Sequence, residues 1–197
     1  MKVSFGLKAH SGWAALIILG ENNGALELID RKRIDLVDEE WAKQPYHAAE
    51  QLNAREARTV VARGIKSAQR CAKREIQSAL RHVKKFDYQV AGCAVLVGTP
   101  MPAWSVAQIL AVHFRMHKAE GVLFREVLAA AAESLDIPVL RVQEKELSEE
   151  AVRILHQSQE KIATRITAFG KEVAPPWGKD QKDATLAAML VLAQHTA

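Results

Sequence analysis

The stretch that most constrains this chain is Val3 to Leu19, V-S-F-G-L-K-A-H-S-G-W-A-A-L-I-I-L. It reads as two short strands, 3–8 and 13–19, joined by a tight turn at Ala9-His10-Ser11-Gly12. The first alternates, with Val3, Phe5 and Leu7 against Ser4, Gly6 and Lys8, whereas the second is nearly continuous in apolar residues. A strand buried on both faces has such a continuous run, so the pair belongs in the middle of a covered sheet. Asn22-Asn23-Gly24 then signals a hairpin, and a third strand is expected over 25–37, bent or bulged at its charged 30–33 insert. The chain opens as an antiparallel meander.

Beyond a connector at 38–46, the spacing predicts one long helix over 47–86, or two collinear ones meeting at Gly64. Val61, Ile65, Ala68, Ala72, Ile76, Ala79 and Val83 recur three or four apart and form an apolar stripe. Arg63, Lys66, Arg70, Lys73, Arg74, Arg81 and Lys84 fall on the opposite side. Glu75 is almost the only acid among them. The net charge of +4 is small, but it is concentrated on this helix face. Such a face suits phosphate contacts by counterion release, and equally suits plain solvation. No aromatic side chain is placed there to stack on bases.

A fourth strand is expected at 89–97 and is stopped by Gly98-Thr99-Pro100. Helices follow from 103–105 to 116 and over 119–135, with a junction at Lys118-Ala119-Glu120-Gly121. A fifth strand at 137–142 precedes a helix over 148–169, with Ser148 as its cap. The last helix runs 180–195 after the Pro175-Pro176-Trp177-Gly178 loop. Strands reached through helical crossovers lie parallel, so the whole is an α/β chain with a mixed five-stranded sheet flanked by helices.

That order, with three segments of sequence, resembles the ribonuclease H-like superfamily, in its RuvC-like Holliday junction resolvase branch. Residues 6–14 (Gly6-Leu7-Lys8-Ala9-His10-Ser11-Gly12-Trp13-Ala14) are similar to the Gly-Ile-Asp-Pro-Gly-Ser segment of that family. His117-Lys118-Ala119-Glu120-Gly121-Val122, running on to Ile137-Pro138-Val139, is similar to its Gln-Ala-Arg-Gly helix and following strand. Residues 179–187, with Asp180 and Asp183, are similar to its closing Asp-Ala-Ala-Asp-Ala-Leu-Ala helix. The resemblance implies one RuvC-like domain over 1–197 and a site of four carboxylates holding two divalent metal ions. Asp180 and Asp183 carry over as the last two. The first lands on Lys8, and Val97-Gly98-Thr99 offers no carboxylate for the second.

The expected function is therefore binding of nucleic acid, DNA or RNA, or of a protein that processes it, with two-metal nuclease activity lost. Lys8, His10, Asp180 and Asp183 are the remnants of the site, Lys8 pairing with Asp180 or Asp183 where metal would sit. The basic helix supplies the contacts, and no cofactor is expected. One alternative is a structural or regulatory homodimer without nucleic acid. The other is an unconventional hydrolase using Lys8, His10, Asp180 and Asp183, for which Mg²⁺ or Mn²⁺ would be the cofactor.

His113 and His117, with Glu120 three further on, have a spacing that zinc can use, but Phe114 breaks the H-E-x-x-H pattern. Asp180 and Asp183 also fit a helix cap and first turn. Trp41, Trp104 and Trp177 read as packing anchors. Two cysteines, Cys71 and Cys93, are too few for a disulfide framework. With no apolar run long enough to span a bilayer and no signal-peptide pattern, a cytoplasmic protein with reduced, buried thiols is expected.

Overall fold

The computed structural model describes residues 1–194. Strand β1 (Lys2–His10) turns through Ser11-Gly12 into β2 (Trp13–Asn22), and the turn depends on Gly12 at φ +81°. Asn23-Gly24 leads into β3 (Ala25–Asp35), whose register against β2 shifts so that Ile29 is unpaired. That bulge lies next to the expected charged insert. β4 (Gln89–Val97) and β5 (Val139–Gln143) add in parallel, giving the order β3-β2-β1-β4-β5 with β1 at the centre.

Alternation along β1 decides what covers each face of the sheet. Val3, Phe5 and Leu7 point into a core completed by helix α1 (Ala54–Lys84) and helix α3 (His113–Glu133), chiefly Ala68, Ala72, Ile76, Phe124 and Leu128. Ser4, Gly6 and Lys8 point the other way and meet α6 (Lys179–Gln194). Ser4 Oγ donates to the Ala188 carbonyl at 2.8 Å, and a Cβ on Gly6 would collide with the Ala184 carbonyl oxygen. Every residue of α6 from Ala184 to Leu192 is buried. A helix apolar on all sides is a core helix, and here it rests directly on the polar-looking side of β1.

Several helix ends differ from their sequence reading. Residues 47–53 are not helical as part of α1. Two 3-10 turns, Glu40–Lys43 and His47–Ala49, come first, and Asn53 caps α1 through hydrogen bonds from the Arg55 and Glu56 amides. α1 then runs unbroken through Gly64, where Pro45 packs too closely to admit a Cβ. The expected junction at Lys118–Gly121 is instead mid-helix: α2 (Val106–Leu110) opens on a Ser105–Gln108 capping box, and the break falls at Ala111-Val112. The expected 148–169 helix is two, α4 (Leu147–Leu155) and α5 (Gln159–Lys171), parted at His156 in the left-handed region. Ser158 caps α5, and Ser148 caps nothing.

Cys71 and Cys93 are buried free thiols, and burial pushes Cys93 up to about 12. Trp177 donates to the Ile166 carbonyl and lies against Gly170, while Trp41 packs near Gly64. The 195 end of the last expected helix lies outside the described residues. No helix among the described residues is long and apolar enough to cross a membrane.

Candidate functional site

Lys8 lies near the end of β1 on the side that faces α6, and α6 carries Asp180 in its first turn and Asp183 just beyond it. The close seating of α6 on Gly6 therefore sets the site. Lys8 Nζ lies 2.6 Å from Asp183 Oδ2 and 3.4 Å from Asp180 Oδ1, so the structure brings these three together. It adds a partner that the sequence reading missed, since Glu144 Oε1 is 3.0 Å from the same nitrogen. Glu144 stands one residue beyond β5, next to the end of β4 where the family pattern wants its second carboxylate. Its amide bonds to the Val97 carbonyl at 2.9 Å.

The Lys8 side chain is 7% exposed and ends inside the cluster. Burial alone would lower the Lys8 pKa, but hydrogen bonds to Asp183 and Glu144 and their charges more than reverse this, holding it above the ordinary lysine range. Two further cations close the set. Lys179 bonds to Asp183 from one turn earlier on α6, and Arg125 of α3 lies 3.5 Å from Glu144. Three carboxylates thus face three basic side chains.

His10 Nε2 lies 3.1 Å from Asp180 Oδ1 but out of line for a hydrogen bond, with its ring stacked on Trp13 at 4.4 Å. Arg33 covers the same Trp13 ring. Asp180 lies inside the first turn of α6 and does not cap it. The Gln181 side chain instead accepts from the Gly178 amide.

Two divalent ions need several anionic oxygens turned on open space. Here the space between the oxygens is filled by an ammonium, and the surrounding charges balance. The residues present do not fit a two-metal centre.

On α1, Arg63, Lys66, Arg70, Lys73, Arg74, Arg81 and Lys84 are all exposed. From Arg63 to Lys84 the row spans about 32 Å, close to one turn of a duplex. An acid partner for the row is supplied from outside the helix. Asp38, just past β3, bonds Arg70 at 2.6 Å and Arg74 at 3.1 Å, and these bonds hold its carboxyl at about 2. Arg74 also pairs with Glu75, and Arg63 lies over Trp41. The row is thus partly neutralised in its middle, and towards Arg81 and Lys84 it has no ion-pair partner among the described residues.

The His113, His117 and Glu120 set separates. His113 and His117 stand together on the exposed side of α3, whereas Glu120 is buried against the connector.

No family model matches the chain, and no curated protein sequence matches it. Among solved structures it is similar to a Thermus thermophilus RuvC structure, at 14% identity and a TM-score of 0.50, over 98% of this chain and 96% of that one. It is also similar to T. thermophilus RuvC in complex with a Holliday junction substrate, at 12% identity and 0.51, over 100% and 96%. With the meander, the two parallel strands and the helices in matching order, this chain has the RuvC-like form of the ribonuclease H-like fold.

Proposed function

We propose that this protein binds nucleic acid through the phosphate backbone and does not hydrolyse it by a two-metal mechanism. The observation that carries the reading is Lys8, whose ammonium sits among Asp180, Asp183 and Glu144 at 2.6–3.4 Å. It takes up the oxygens that a metal pair would need. What remains available for a polyanion is the cationic row on α1. The two RuvC structures support branched DNA as the first ligand to try, since one of them holds a Holliday junction substrate.

The test is equilibrium binding to labelled branched, duplex and single-stranded DNA and to RNA, at several salt concentrations with Mg²⁺ present. Affinity should fall steeply with salt, with a logarithmic slope of about 0.9 per phosphate neutralised on duplex DNA. Arg70→Ala, Lys73→Ala and Arg74→Ala together should weaken binding and flatten that slope. Absence of binding at low salt would overturn the nucleic-acid reading, and Mg²⁺-dependent cleavage would overturn the loss of metal chemistry.

A further inference from the structure

The 3-10 turn that replaces the expected start of the long helix brings His47 to the first turn of α3. Its ring lies 4.5 Å from that of His117 and 5.1 Å from that of His113, and these two rings are 4.8 Å apart. The Nε2 atoms of His113 and His117 are 3.1 Å apart. One candidate ligand atom from each of the three histidines can be chosen so that all lie within 4.8 Å.

Glu120 explains which nitrogen His47 presents. Its buried carboxylate accepts from the backbone amides of Tyr46 and His47 at 3.1 and 3.2 Å, and it bonds His47 Nδ1 at 2.8 Å. Nδ1 therefore holds the proton, and the Nε2 lone pair is left available. That nitrogen is buried and has no hydrogen-bond partner among the described residues. A carboxylate fixing the far nitrogen of an imidazole is the arrangement that orients metal-ligating histidines. Glu50 adds a weaker version, with Oε1 3.8 Å from His113 Nδ1.

We propose that His47, His113 and His117 bind one divalent transition-metal ion of the zinc class, with Glu120 as the residue that positions His47. At zinc–nitrogen bonds of about 2.0–2.1 Å, tetrahedral angles place ligand nitrogens about 3.3–3.4 Å apart. The 3.1 Å pair is within a few tenths of an ångström of that separation, and the rings of His113 and His117, which are exposed, can turn to close the rest. Three imidazoles leave one position for water or another small donor. The ion would clasp the connector to α3, because its ligands come from both. This site is separate from the Lys8 cluster, and the inference does not depend on nucleic-acid binding.

The test uses the full chain stripped of metal with a chelator and titrated with Co²⁺. One equivalent should bind with the strong visible bands of a four-coordinate ion, and Zn²⁺ should bleach them. His113→Gln with His117→Gln should abolish the bands without shifting the metal-free melting temperature, since both side chains are exposed. Glu120→Gln should weaken affinity about 10–100-fold, and Asp183→Asn should leave the spectrum unchanged. Absence of saturable Co²⁺ binding, or full binding by the double histidine variant, would overturn the proposal.

Discussion

Two clusters of metal-competent side chains lie in this molecule, and they are built in opposite ways. Around Lys8, three carboxylates converge and the protein supplies its own counter-charge. Around His47, three imidazoles converge with nitrogens turned towards one another, and the nearest carboxylate bonds only the outer edge of one ring. The carboxylate cluster has its donors satisfied from within. The imidazole cluster has its donors oriented and left open. The lesson is that convergence of ligand types does not define a metal site; what matters is whether a protein cation already lies between them.

The strongest way to break that contrast is to remove the cation. Lys8→Met leaves Asp180, Asp183 and Glu144 facing one another without their central partner, and stripping one member from a buried ion pair costs about 3–5 kcal/mol. Urea unfolding should report a loss of that size. Lys8→Asp should instead confer measurable Mg²⁺ or Mn²⁺ affinity by calorimetry; the absence of any gain would mean that the ammonium does not stand in for an ion.

Next in size is the imidazole cluster. Zn²⁺ at a hundred times its dissociation constant should stabilise the native protein by about 2.7 kcal/mol, by mass action. Thermal melts should show the rise in the wild type and not in the double histidine variant.

A pH series sharpens the contrast further. The Lys8 pKa is raised on folding, so its contribution is complete below the unfolded value and lost as pH rises through the higher folded value. The stability gap between wild type and Lys8→Met should therefore stay level from neutral pH to the ordinary lysine value of 10.5 and close only above it.

The smallest effect on stability is expected at Asp38. Asp38→Asn should leave the melting temperature nearly unchanged, since exposed ion pairs contribute little. It frees Arg70 and Arg74, so salt-dependent DNA binding should tighten. Unchanged affinity would show that the middle of the α1 row does not meet phosphate.

How much of this was legible in the sequence varied with the range of the interaction. The alternation of 3–8, the continuous run of 13–19 and the Asn23-Gly24 turn are local signals, and they led to the observed antiparallel meander. Helix ends were harder to read, because Asn53 and Ser158 fix them through one or two side-chain hydrogen bonds that composition does not reveal. Glu144 was hidden in the charged stretch Gln143-Glu144-Lys145-Glu146, which reads as surface. Only its place beyond β5, beside β4, turns it towards Lys8. His47 was hidden because the pattern of 47–86 reads as one helix, whose first residue has no evident reason to meet α3.

By itself, then, the sequence determined the elements and their layering, since periodic burial is written into neighbouring residues. It also determined that an ammonium replaces the first expected carboxylate. Tertiary structure alone decided which charges meet. Lys8 and Asp183 are far apart along the chain, as are His47 and His113. Their contact depends on α6 seating on Gly6 and on the connector folding as 3-10 turns, and side-chain chemistry acts over a few ångströms of space, not along the chain.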